Sequence, residues 1–496
     1  MLAQAFSSGD WDDVNRALDE NFYFYLFTDP DLLDRVFAAA PPDWYERHPR
    51  NVMSRAIATA ARRPVVLIDD HARERFAAWV GSQRQPAARD VLELRQAGIR
   101  GLLAAGRYSE AADEAERVLE LIRTAENMEG FHDVLPPVLL QCGTAKLLVA
   151  DVDDAIGIFS EALRWATIRS EHPSATFARA HLALAYALSE RYRQARELLD
   201  ADHGEAHGPG DARFHYEEPG LLARGLIAAV ASEGGATADV REPDAVTRGN
   251  WWWVPVHTRA IAALLWGSRW EAIHEISHVL LVQRARSAPR SLAGAVLRSD
   301  LATLYQSVGD LRHAERVLNT PGMNAHWSGG RLALARQAWL LGNPADALTM
   351  LREDESATGI PLTHHAGRAV IFAEAERAAS GTITPHTAEF VASAVDATES
   401  RISITQASPA LRAALEPLLK TSIESIPVRF TARSAPRLTR REREVLDGLA
   451  GDLSVTELAH ALHVSPNTVK SHLRGLYRKL GAHNREEALW LARRTE

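Results

Sequence analysis

Residues 466–480 carry Asn467, Lys470, Ser471, Arg474 and Arg478 at positions that a helix gathers on one side. Such side chains hydrogen-bond base edges in a major groove, where Lys and Arg suit guanine and Asn suits adenine. The other side holds Val469, Leu473, Leu476 and Leu480 at steps of four, three and four, an apolar stripe that packs inward. A helix that is apolar behind and cationic in front has the form of a groove reader.

The flanking residues predict the elements that hold it. Thr439 stands three residues before Glu442, and Ser454 three before Glu457, so hydroxyl and carboxylate can reciprocally satisfy the free N–H groups that open a helix. Ser465 can cap the third helix, with Pro466 at its first position, where no N–H donor is needed. Only His463 and Val464 separate the second helix from this cap, which forces a steep helix crossing, as in a helix-turn-helix. Gly481 is the predicted C-terminal stop.

The runs Leu438-Thr-Arg-Arg-Glu-Arg-Glu-Val-Leu446, Leu453-Ser-Val-Thr-Glu-Leu-Ala459 and Ser465-Pro-Asn-Thr-Val-Lys-Ser-His-Leu473, with Lys479-Leu-Gly481, closely resemble the LuxR-type helix-turn-helix family of bacterial transcription regulators. His463 is a departure, standing where the family commonly has glycine, but histidine tolerates left-handed dihedrals better than most residues. The resemblance implies base-edge contacts from Lys470, Ser471 and Arg474, and phosphate contacts around Thr456, Asn467 and Thr468. It also implies pairing of two modules through the helix near Arg485 to Arg494, so that a homodimer sits on an operator and engages RNA polymerase.

Charge supports a DNA contact at this end. Residues 437–496 carry a formal balance of +3 and the remainder −11, so the chain total of −8 conceals a cationic end on an acidic body. Counterion release favours the former on DNA, and the acidic body discourages wrapping. At 496 residues, 46% hydrophobic and 24% charged, the chain reads as globular and multidomain. The single Cys142 cannot form an internal disulfide, no bilayer-length apolar run occurs, and Met1 to Asp10 lack the pattern of a signal peptide, so a cytoplasmic location without membrane contact is expected.

Upstream, a six-residue pattern recurs: Gly106 to Ala111, Ala150 to Ala155, Glu190 to Ala195, Gly309 to Ala314 and Gly342 to Ala347, with Gly9 to Val14 a possible first copy and Gly267 to Ala272 one residue out of register. Each places a turn before a helix and a small residue near its start. Intervals of 33 to 44 residues bracket two-helix repeats, in which each hairpin buries its stripe on the next. The expected fold is all-α: an irregular, tetratricopeptide-like helical-repeat solenoid over 1–426, a semi-flexible linker over 427–436, and a four-helix LuxR-type domain over 437–496. Loops should concentrate in 200–250, rich in Gly, Pro, Asp and His.

Other constellations compete for a role. His274-Glu-Ile-Ser-His278 satisfies the H-E-x-x-H pattern of zinc peptidases. Ala272, Ile273, Ile276, Val279 and Leu280 on the same segment form a packing stripe that turns the histidines outward, and Asp300 is the nearest third ligand. Val65 to His71 resembles the opening of a phosphoreceiver domain, but the rest of a receiver does not follow. No nucleotide-binding G-x-x-x-x-G-K-[ST] occurs. His203, His207 and His215 complete no metal-ligand spacing. Trp251, Trp252, Trp253, Trp266 and Trp270 suit a packed core, or else an aromatic pocket for an effector. The reading is therefore a DNA-binding regulator whose repeats sense a small molecule, peptide or protein, with no cofactor and no catalysis. A zinc peptidase and a protein-docking scaffold are the alternatives.

Overall fold

A computed structural model describes residues 1–61, 68–125, 130–168, 172–201, 211–231, 249–322, 327–358, 365–432, 438–451, 453–480 and 482–495. Val65 to Leu67, His203, His207 and Gly481 lie outside them. The described residues form helices and no strands, so the all-α expectation holds. They divide into two compact units: Met1–Ala262 with Glu275–Leu297 and Gly322–Trp327, and Ala263–His274 with Arg298–Pro321 and Ser328–Glu496.

The recurring pattern is a recurring turn. Gly9, Gly106, Ala150, Glu190, Gly309 and Gly342 all adopt left-handed φ, from 59° to 89°. In the last five, the following N–H reaches back to close the preceding helix: Arg107 N to Leu102 O, Asp151 N to Lys146 O, Arg191 N to Tyr186 O, Asp310 N to Tyr305 O and Asn343 N to Ala338 O, at 2.9–3.1 Å. This closure satisfies carbonyls that a helix end leaves free. Ala150 and Glu190 adopt the conformation without glycine, at a cost of about 1–2 kcal/mol each. Ala111, Ala155, Ala195, Ala314 and Ala347 are each 0% exposed, where the small side chain lets the next helix approach.

In the first unit, Phe131–Leu148 is buried on nearly every side and packs against Ala88–Ala104, Tyr108–Thr124, Val152–Thr167 and Ser174–Leu188. The ring of Phe159 lies against Gly143, where a Cβ would approach it to 2.5 Å. Asp133, on this central helix, accepts the backbone N–H groups of Tyr23 and Phe24 at 2.8 and 2.9 Å and meets His172 Nε2 at 3.1 Å. Those N–H groups are freed because the helix Trp11–Thr28 breaks at Asn21.

In the second unit, buried Arg336 donates to Gln406 Oε1 at 2.8 Å, Thr303 Oγ1 at 2.9 Å and Gln306 Oε1 at 3.0 Å. Its guanidinium carbon lies 4.9 Å from the ring centroid of Phe430. Arg429 donates to Leu264 O at 2.8 Å and Leu265 O at 3.2 Å, and its own N–H bonds Thr405 O. Thus Arg429 and Phe430, within the stretch read as a semi-flexible linker, bond residues of the second unit. The terminal carbonyls of Val254–Leu265 need a donor, and a cation at a helix C-terminus supplies it.

Candidate nucleic-acid interface

The C-terminal module consists of an opening helix, Arg440–Ala450, a second helix, Val455–Ala461, a reading helix, Pro466–Leu480, and a closing helix, Arg485–Thr495. Both expected capping boxes form, with the Glu442 carboxylate accepting Thr439 N at 2.7 Å and that of Glu457 accepting Ser454 N at 2.7 Å. Ser465 Oγ accepts Thr468 N at 3.1 Å, fixing the start of the reading helix at Pro466.

The turn before it is closed as in the repeats: His463 takes φ 53°, and Val464 N bonds Ala459 O at 3.0 Å. The opening and second helices both pack on the reading helix. At Gly448 a Cβ would lie 2.1 Å from Leu458 Cδ2, so absence of a side chain sets how near the first two helices come.

The reading helix divides as its spacing requires. Val469, Leu476 and Leu480 are buried and Leu473 half-buried, while Asn467, Lys470, Ser471, Arg474 and Arg478 are exposed. Thr456, at the start of the second helix, and Thr468 are exposed too. Among the described residues, Lys470, Arg474 and Arg478 engage no hydrogen-bond or ion-pair partner, which leaves three cations available along one open face.

Two supports were invisible to local pattern. Lys479 Nζ donates to Glu442 Oε2 at 2.6 Å, tying the reading helix to the opening cap. Burial opposes the Glu442 charge, but Lys479 and the Thr439 donors prevail and hold its carboxyl below the ordinary glutamate range. Arg485 donates to Leu449 O at 2.7 Å and Leu453 O at 3.2 Å, capping the opening helix from the closing one. Neither pair is within one helical turn in sequence, so no single-helix signal marks it.

On Arg269–Val282, His274 and His278 are exposed, and Glu275 accepts Arg259 Nε at 2.8 Å. No group of three His, Cys, Asp or Glu side chains among the described residues is arranged to hold a metal ion. Trp251, Trp252 and Trp253 are buried in the first unit, where Arg286 lies 5.1 Å from the Trp252 ring. Trp266 and Trp270 belong to the second unit, and Trp270 is 53% exposed.

A short turn between capped helices, with an outward cationic face on the second, defines a helix-turn-helix module of the DNA-binding class. Residues 436–492 match the family model described as bacterial regulatory proteins, luxR family, and the C-terminal module of this chain is a luxR-family helix-turn-helix domain.

Over 55 residues the chain is 47% identical to the probable transcriptional regulatory protein NarL of Mycobacterium tuberculosis, covering 11% of this chain and 26% of the relative. It is 39% identical over 61 residues to the CsgBAC operon transcriptional regulatory protein of Escherichia coli, covering 12% and 28%. To the HTH-type transcriptional regulator MalT of Vibrio cholerae it is 43% identical over 60 residues, covering 12% and 6%. The chain thus spans about a quarter or less of these curated relatives. No solved structure matches it.

Proposed function

We propose that the chain is a sequence-specific transcription regulator that reads duplex DNA with Pro466–Leu480 and senses an effector with its helical body. The observation that carries this reading is the exposure of Lys470, Ser471 and Arg474 on a helix whose Val469, Leu476 and Leu480 are buried. Lys470, Ser471 and Arg474 meet base edges, Arg478 extends the cationic face, and Thr456, Asn467 and Thr468 meet phosphates. Phosphate contacts fix register and base contacts give sequence.

Two modules pair through the closing helix and occupy half-sites roughly 34–36 Å apart, one helical turn. The regulator works in the cytoplasm, with RNA polymerase as the downstream partner. A small molecule, peptide or protein bound by the body changes how modules are presented, which requires it to prefer one arrangement over the other. Trp251, Trp252 and Trp253 of the first unit are the aromatic residues assigned to effector recognition. Selection from a random duplex library with the full chain is the test. Enrichment of a two-part site supports the reading; recovery of unselected sequence opposes it.

A further inference from the structure

The closing helix, through which the proposed function pairs two modules, is already engaged. Glu486 and Trp490 stand four residues apart, on one side of it. Arg312 and Glu315 stand three apart on Leu311–Leu318, a helix of the repeat body. Arg312 Nη2 meets Glu486 Oε2 at 3.0 Å, and the Trp490 indole N–H donates to Glu315 Oε2. All four belong to the second compact unit.

Three of its other positions serve its own module. Arg485 caps the opening helix, Ala488 is 0% exposed, and the Glu487 carboxylate accepts His483 N at 2.7 Å. Glu486 and Trp490 reach beyond the module, and the large aromatic is of the kind that anchors protein interfaces. The charges are complementary, basic Arg312 to acidic Glu486. A cleft of about 550 Å³, lined by Arg312, Glu315, Arg316, Asn319, Thr320 and Trp490, flanks the contact. These contacts are polar and partly exposed, an arrangement weak enough to be released.

We infer that Leu311–Leu318 is an intramolecular docking surface for the closing helix, which withholds Trp490 from a second copy of the chain until the contact opens. The inference rests on the proposed pairing through this helix. It leaves the reading face uncovered, so the step under control is pairing of modules and not access of one module to DNA.

The experiment compares the full chain with Arg312→Glu and with the double exchange Arg312→Glu/Glu486→Arg. Three readouts are taken: amide exchange of residues 485–490, the monomer–dimer equilibrium by sedimentation, and affinity for a library-selected duplex. An exposed ion pair and its reversal are each modest, so Arg312→Glu should shift both the dimerisation and the DNA half-saturation concentrations down roughly three- to tenfold. Exchange at 485–490 should rise, and the double exchange should return all three towards the parent.

Unchanged exchange and unchanged dimerisation in Arg312→Glu overturn the docking surface, as does weakened dimerisation that the double exchange does not repair. Raised exchange and dimerisation with no selective DNA binding by any form uphold the docking surface and refute the DNA-reading function instead.

Discussion

His463 shows how much one side chain can reveal about a turn. It occupies left-handed dihedrals at φ 53°, which cost a residue with a Cβ about 1–2 kcal/mol. His463→Gly is accordingly expected to stabilise the module by about 0.5–1 kcal/mol, net of the entropy that glycine loses; a lowered melting temperature would contradict this. Glu442 makes a second prediction. Because its folded carboxyl is held below 4.5, the stability it supplies is present above pH 4.5 and lost as pH falls through the folded value. Glu442→Gln should weaken the module by about 1–3 kcal/mol at neutral pH, with the difference shrinking on acidification. A pH-independent difference in denaturant melts would count against the Lys479 bridge.

Among the elements, Ala88–Ala104 carries a buried polar face of Asp90, Glu93, Gln96 and Arg100. Burial, aided by Asp90 and opposed by Arg89, pushes the Glu93 carboxyl up to about 8. The sign is opposite to that of Glu442: the neutral form favours folding, its contribution is whole below pH 4.5, and it fades as pH rises through 8. Glu93→Gln should therefore flatten the alkaline side of the stability profile of the first unit, and a loss of stability equal at pH 5 and pH 9 would argue otherwise.

Elements governed by neighbours a few residues away could be read from sequence. The two capping boxes, the Ser465 cap and the recurring turns are of this kind, and spacing marks even Ala150 and Glu190, where the turn lacks glycine. Contacts distant in sequence could not. The Lys479–Glu442 bridge, the Arg485 caps, the fastening of Arg429 and Phe430, and the pairing of Arg312 with Glu486 join helices whose adjacency no local period encodes. Trp251 to Trp253 and Trp266 to Trp270 lie close in the chain, but belong to different units, because sequence proximity does not fix where a helical array divides.

The whole molecule sets a cationic module of +3 beside a body of −11. Phosphate neutralisation by two modules should make log K fall with log salt at a slope steeper than about −3, and repulsion from the body should suppress non-specific binding. A slope near zero would remove the electrostatic basis of the account. Among the described residues no helix is long and apolar enough to cross a membrane.

The decisive quantity is the affinity of Lys470→Ala and Arg474→Ala for the duplex that the parent chain selects, alongside their circular dichroism. Each should lose about 1–3 kcal/mol of specific binding and tolerate base changes at one position, with helix content unchanged. Full retention of affinity and sequence preference by both folded variants would mean that Pro466–Leu480 does not read DNA.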